Sequence, residues 1–241
     1  KRQITLVGPI DVTRTIIYPS LTFYMLLPFA VLRNFEPVSP AYGTAFYGVL
    51  TVILLIVLTK KINKKLLLLS GLLGVVWFPL VEASRWAWNP HLVPFISALA
   101  ILFFLLPYKW SRIVSGIFFG LTFHLHYVFF VSFAVFALIT SLISFYKRRF
   151  VEGLLLPLGF FLTIIPFILF DIKNPPGLFF GRFLANNLVR SNLGGTTPLF
   201  LTTFPQNIGK ILEFLTQLNL FAYLLGGVLL LLLVRDLLKR R

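Results

Sequence analysis

The chain has no cysteine. It therefore holds no disulfide and offers no thiolate chemistry, and its redox compartment is left open. Acids are nearly as scarce, with seven Asp and Glu against 22 Lys and Arg. Charged residues of both signs make up only 12% of the chain, about half the share of a soluble domain. Sequence motifs are missing too. No G-x-x-x-x-G-K-[ST] or G-x-G-x-x-G appears, so neither phosphate loop supports nucleotide binding, and no H-E-x-x-H marks a zinc protease. No Lys, Asp or Glu lies in the middle of an apolar run, where a proton-coupled transporter or ion channel would place one.

What is present is apolar. Hydrophobic residues make up 58% of the 241, 28 of them Phe, and the mean hydropathy is +0.92. These values predict an all-α, polytopic integral membrane protein forming one transmembrane domain. The net charge of +15 would point to nucleic acid in a soluble chain. Here its placement reads as topology, and no nucleic-acid partner is expected. The chain begins at Lys1 without a signal peptide, which reads as a piece of a longer protein.

Residues 1–40 mix charge with the short run Tyr18–Phe29, interrupted by Pro19 and Pro28. About 20 clean residues are wanted for a crossing, so this run predicts a helix lying in the interface. Uncharged runs follow at Ala41–Thr59, Leu66–Val81, Leu92–Leu106, Ile113–Tyr146, Phe150–Phe170 (with Glu152 near its start) and Phe214–Val234. Basic clusters at 60–65, 109–112, 147–149 and 235–241 recur after every second crossing, and the positive-inside rule places them in the cytoplasm. The count closes at about seven spans, six of them within 41–170, if Ile113–Tyr146 crosses twice. Its 34 residues are too few for two full spans, so the turn at His124–Tyr127 should lie below the outer surface.

Polar chemistry then gathers outside the plasma membrane, in 1–40, 82–91 and the 171–213 segment. The densest stretch is Glu82-Ala83-Ser84-Arg85-Trp86-Ala87-Trp88-Asn89-Pro90-His91. Glu82 and Arg85, three apart on a helix, can face one cavity or form a simple ion pair. The two indoles suit a membrane-interface belt. His124 and His126 beside Tyr127 are compatible with a metal site or with ordinary hydrogen bonding between helices. Arg182, Asn186 and Arg190 recur every four residues among Phe and Leu, the pattern of an interfacial amphipathic helix. Carboxylates can hold a divalent cation or act as general base, and Arg binds phosphate in bidentate fashion. Such a set suits a phosphate-bearing lipid at the outer leaflet.

The residues Thr5-Leu6-Val7-Gly8-Pro9, Tyr18-Pro19-Ser20-Leu21-Thr22-Phe23-Tyr24, Ser84-Arg85-Trp86-Ala87-Trp88-Asn89-Pro90 and His126-Tyr127 resemble bacterial glycosyltransferase family 39. That family includes relatives of protein O-mannosyltransferases and of the lipid A aminoarabinose transferase. The resemblance implies a C-type glycosyltransferase fold and a polyprenyl-phosphate-linked sugar donor used on the outer face. The acceptor, whether glycan, lipid or protein, is left open, and a divalent metal is compatible. The family's catalytic acid lies in the first outer loop, after a first membrane helix. This chain starts inside that loop, leaving Asp11 as its one early acid. Glu82, Arg85, Asn89, His126 and Arg182 are the expected substrate-binding residues, with Arg85 on the lipid phosphate. The competing expectation is a carrier or flippase that binds such a lipid without cleaving it.

Overall fold

The computed structural model describes residues 5–10, 17–175 and 177–179, with the backbone alone over 127–132. All belong to one compact unit, Lys1–Asn187. It is built from helices: α1 Leu21–Leu32, α2 Ser39–Ile62, α3 Leu67–Val76, α4 Phe78–Ala83, α5 Val93–Phe104, α6 Lys109–Leu125, α7 Tyr127–Tyr146, α8 Phe150–Leu162 and α9 Ile165–Lys173. The expectation of an α-class chain holds. One feature lies outside it: an antiparallel hairpin pairs β1 Val7–Ile10 with β2 Ile17–Pro19. β-Branched and aromatic residues favour extended backbone there. At Gly8 a Cβ would run into the Pro19 carbonyl, so a residue without a side chain is needed.

By length and composition, Ser39–Ile62 is the described helix that could cross a membrane by itself, and α8 with α9 passes as a pair bent by 45°. Several apolar runs are cut short by proline. Pro79 sits at the start of α4, and the run expected over Leu66–Val81 divides at Trp77, which is extended. Pro166 opens α9 in the same way. Helix α1, at 12 residues, reaches roughly 18 Å, too short for a bilayer core. It is apolar on every side, with Phe23, Leu27 and Val31 exposed and Leu26 buried, so the amphipathic face expected of an interfacial helix is not there.

The core is apolar, yet hydroxyls are buried beside it and many large aliphatics lie on the surface. The hydroxyls of Ser39, Thr44, Thr51, Ser111, Ser115, Thr122 and Ser141 are buried, while Val49, Ile53, Leu68, Leu72, Leu138, Leu142, Leu154 and Leu158 are exposed. Most of those hydroxyls bond back to their own helix, as Thr51 does to Tyr47 O at 2.7 Å and Ser141 to Ala137 O at 2.7 Å. Ser115 instead donates across helices to Ala100 O at 2.8 Å.

The tightest seam joins α6 to α8. Gly116 and Gly120 stand one turn apart on α6, and a Cβ on either would strike α8, at the Leu156 carbonyl and at Thr163 Oγ1 respectively. Gly159 returns the contact against the Ile113 carbonyl. Small residues at this spacing let two backbones approach closely where no hydrophobic effect drives helices together. Around this seam Ala100, Phe119, Ala137, Leu156, Phe160 and Ile164 form the main core.

Candidate functional site

Helix α6 fixes both ends of the unit. Its 17 residues rise roughly 25 Å from Lys109 to the break at His126. His126 is extended at φ −161° and ψ 128°, and α7 starts at the next residue. The break required by the length of Ile113–Tyr146 is therefore present. Its N–H still bonds Thr122 O at 2.8 Å, and its ring stacks on Tyr18 of β2 with centroids 5.7 Å apart. The hairpin closes over this end of α6: Ile17, Phe123, Phe167 and Phe179 share one buried cluster.

Two buried polar residues lie on elements that pack against α6. Thr22, on the first turn of α1 and one turn beyond Tyr18, buries its Oγ1 with no hydrogen-bond partner. An unpaired buried hydroxyl costs about 1–3 kcal/mol, so it is a group that a ligand or water would satisfy. Asn89 opens a 3₁₀ turn, Asn89–Leu92, and is buried. Leu92 from that turn, Leu125 from α6 and Leu26 from α1 meet in one cluster. The three elements carrying Asn89, His126 and Thr22 thus converge on a shared apolar floor.

The stretch before Asn89 is exposed. Glu82 lies in the last turn of α4, which is seated on α2 where Ser84 Oγ fills the space above Gly48. Ser84 Oγ donates to Leu80 O at 2.7 Å. Arg85 lies 3.7 Å from Glu82, with side chains 72% and 44% exposed. So long and wet a pair is worth at most about 1 kcal/mol, and the guanidinium fork is not committed to it. Trp86 and Trp88 stack at 5.4 Å, 10° from parallel, and His91 meets both edge-on. The His91 Nδ1–H donates to Trp86 O at 2.9 Å, which ties the two sides of the loop together.

Other polar side chains are held by structural contacts. His124 Nε2 donates to Thr163 O at 3.1 Å. Pro166 breaks the helix there, the Phe167 N–H bonds Ile164 O instead, and the carbonyl of Thr163 is freed for the imidazole. Asp171 Oδ1 accepts the N–H groups of Leu178 and Phe179 at 2.8 and 2.9 Å and pins that segment to α9. Glu36 receives Arg33 at 2.7 Å, and this hydrogen bond raises the guanidinium's pKa above its ordinary value. Among the described residues no three His, Asp or Glu come together as a metal site would require. Asp11 and Arg182 lie outside the described residues.

Of the two readings kept for Glu82 and Arg85, the ion pair is seen, at 3.7 Å. Sequence reasoning missed Thr22, whose sequence offers no sign of an unpaired hydroxyl. Of the two readings kept for His124, the hydrogen bond to a neighbouring helix is the one present, with Thr163 O as its acceptor. No family model matches the chain, and no curated protein or solved structure matches it either.

Proposed function

We propose that the chain is a plasma-membrane protein of about seven spans that transfers a sugar from a polyprenyl-phosphate-linked donor to an acceptor on the outer face. The membrane part of this reading is supported by the many large aliphatics that face outward, such as Val49, Ile53, Leu68 and Leu138, and by Ser39–Ile62, which is long and apolar enough to cross a bilayer. The single observation that carries the lipid-phosphate part is Arg85: an exposed guanidinium, loosely paired at 3.7 Å, next in the chain to the stacked Trp86 and Trp88 and four residues before buried Asn89. A bidentate cation beside an aromatic ledge suits a phosphate carried on an apolar tail. In this reading Arg85 holds the phosphate as it departs with the electron pair of the sugar–oxygen bond, and Glu82 is the carboxylate placed to take the acceptor proton. Asn89, Thr22 and His126 supply polar contacts behind it.

The test is release of polyprenyl phosphate from its glycosylated form by the full-length protein. Arg85→Ala should lower turnover at least tenfold with unfolding unchanged, and Arg85→Lys should recover only part of it, lacking the fork. Normal turnover by a folded Arg85→Ala variant ends the proposal.

One observation supports a second reading as a carrier that binds the same lipid without cleaving it. Among the described acids, Glu36 is bound to Arg33, Asp171 holds a backbone turn, and Glu152 pairs with Arg149. Glu82 is itself paired with Arg85 at 3.7 Å, so each of the described acids already has a partner and none stands apart as a ready general base. Donor binding that survives in Glu82→Gln, with no release even by the wild type, selects the carrier.

A further inference from the structure

At the opposite end of α6 from His126 the α5–α6 and α7–α8 turns meet around a pocket of about 210 Å³. Its lining includes Tyr108, Lys109, Arg112, Arg149 and Glu152. Three cations against one carboxylate leave two net positive charges in a small concavity. The carboxylate pairs with one of the three, Arg149, at 3.7 Å, which leaves the excess of positive charge on Lys109 and Arg112. The floor is built rather than loose. Arg112 lies with its guanidinium carbon 4.0 Å over the Phe104 ring, which orients the fork. Ser111 Oγ is fully buried and donates to Tyr108 O at 2.6 Å, fixing the turn that presents Lys109.

The level of this pocket is marked by aromatics. Tyr108 and Trp110 stack at 5.7 Å and 12°, both more than half exposed, and Tyr146 and Phe150 are exposed across the other turn. Amphipathic rings of this kind collect at the headgroup layer. The volume is roughly that of seven liquid waters, larger than a bare oxyanion requires.

We propose that this pocket binds the phosphate of an anionic phospholipid headgroup on the basic, cytoplasmic side of the protein. Basic pockets between membrane helices on that side suit such headgroups. The inference rests on the membrane reading but not on sugar transfer, and a binding measurement decides it without any turnover assay. Phosphate in solution shares the recognition chemistry, so it forms a separate arm of the test.

The full chain in neutral detergent is titrated with short-chain phosphatidylglycerol, with phosphatidylcholine of equal chain length, and with inorganic phosphate. Phosphatidylglycerol should bind, and the other two should neither bind comparably nor compete. Arg112→Ala and Lys109→Ala should each weaken it about fivefold. Glu152→Gln should tighten it, a gain that misfolding cannot produce. The triple Lys60→Ala, Lys61→Ala, Lys64→Ala variant removes more charge away from the pocket and should leave binding unchanged. Equal loss in that variant, or no tightening in Glu152→Gln, overturns the site. Competition by millimolar inorganic phosphate overturns the lipid assignment.

Discussion

Arg85 and His124 show how differently two polar residues of one chain can be held. Arg85 has water and a distant carboxylate, so its removal should cost under about 1 kcal/mol of stability whatever it does to turnover. Denaturant unfolding of Arg85→Ala checks this. His124 is inside, bonded to a carbonyl that a proline has released. His124→Phe keeps the ring but leaves that carbonyl unsatisfied, and should destabilise by about 1–3 kcal/mol. An equal unfolding midpoint for wild type and His124→Phe would mean the bond contributes nothing. Phe35 is a third case: it holds φ 61° in the α1–α2 connection, where a side chain is penalised. Phe35→Gly should stabilise by about 1 kcal/mol in the same unfolding experiment. The two histidines, two positions apart, read alike in sequence as neighbours at one turn. Their partners, Thr163 and Tyr18, lie 39 residues downstream and 108 upstream, and no local pattern encodes such pairings.

At the level of elements, hydropathy located the apolar runs well because it depends only on composition along the chain. Ser39–Ile62 matches the run Ala41–Thr59, and the α6–α7 break falls at the turn its length demanded. Proline positions explain where other runs divide, at Trp77 and at Thr163. The hairpin was harder to see, since seven strand residues interleaved with prolines carry little periodicity. The α6–α8 seam was written in plain view as Gly116 and Gly120, four apart, a spacing that permits close helix approach. Its importance is testable. Gly116→Ala places a methyl against the Leu156 carbonyl and should cost about 1–3 kcal/mol, whereas Gly71→Ala, where a Cβ would meet only the tip of Ile56 at 3.4 Å, should be close to neutral. Similar losses at both positions would remove the seam's special status.

For the whole molecule, the orientation of the unit follows from where its charges lie. Lys109, Arg112 and Arg149 line one pocket, so two of the basic turns share an end, and the His126 break lies at the other end of α6. Positive residues at that end should face the cytoplasm. Because the chain has no cysteine, a single Cys at position 148 is a clean reporter. It should react with an impermeant thiol reagent only after the membrane is opened, while a Cys at position 87 should react from outside. The reverse pattern would invert the protein. The large aliphatics exposed on the surface, with small residues at the seams, have a further consequence, for which substitutions the chain tolerates. On the outward faces of α2, α7 and α8, at positions such as Val49, Leu138 and Leu158, size should matter little and charge should be rejected. Along the inner seams, at Ser115, Gly116, Thr122 and Gly159, the order flips, and bulk is excluded more strictly than polarity. Homologues should therefore drift freely among Leu, Ile, Val and Phe on the outside, and stay small within.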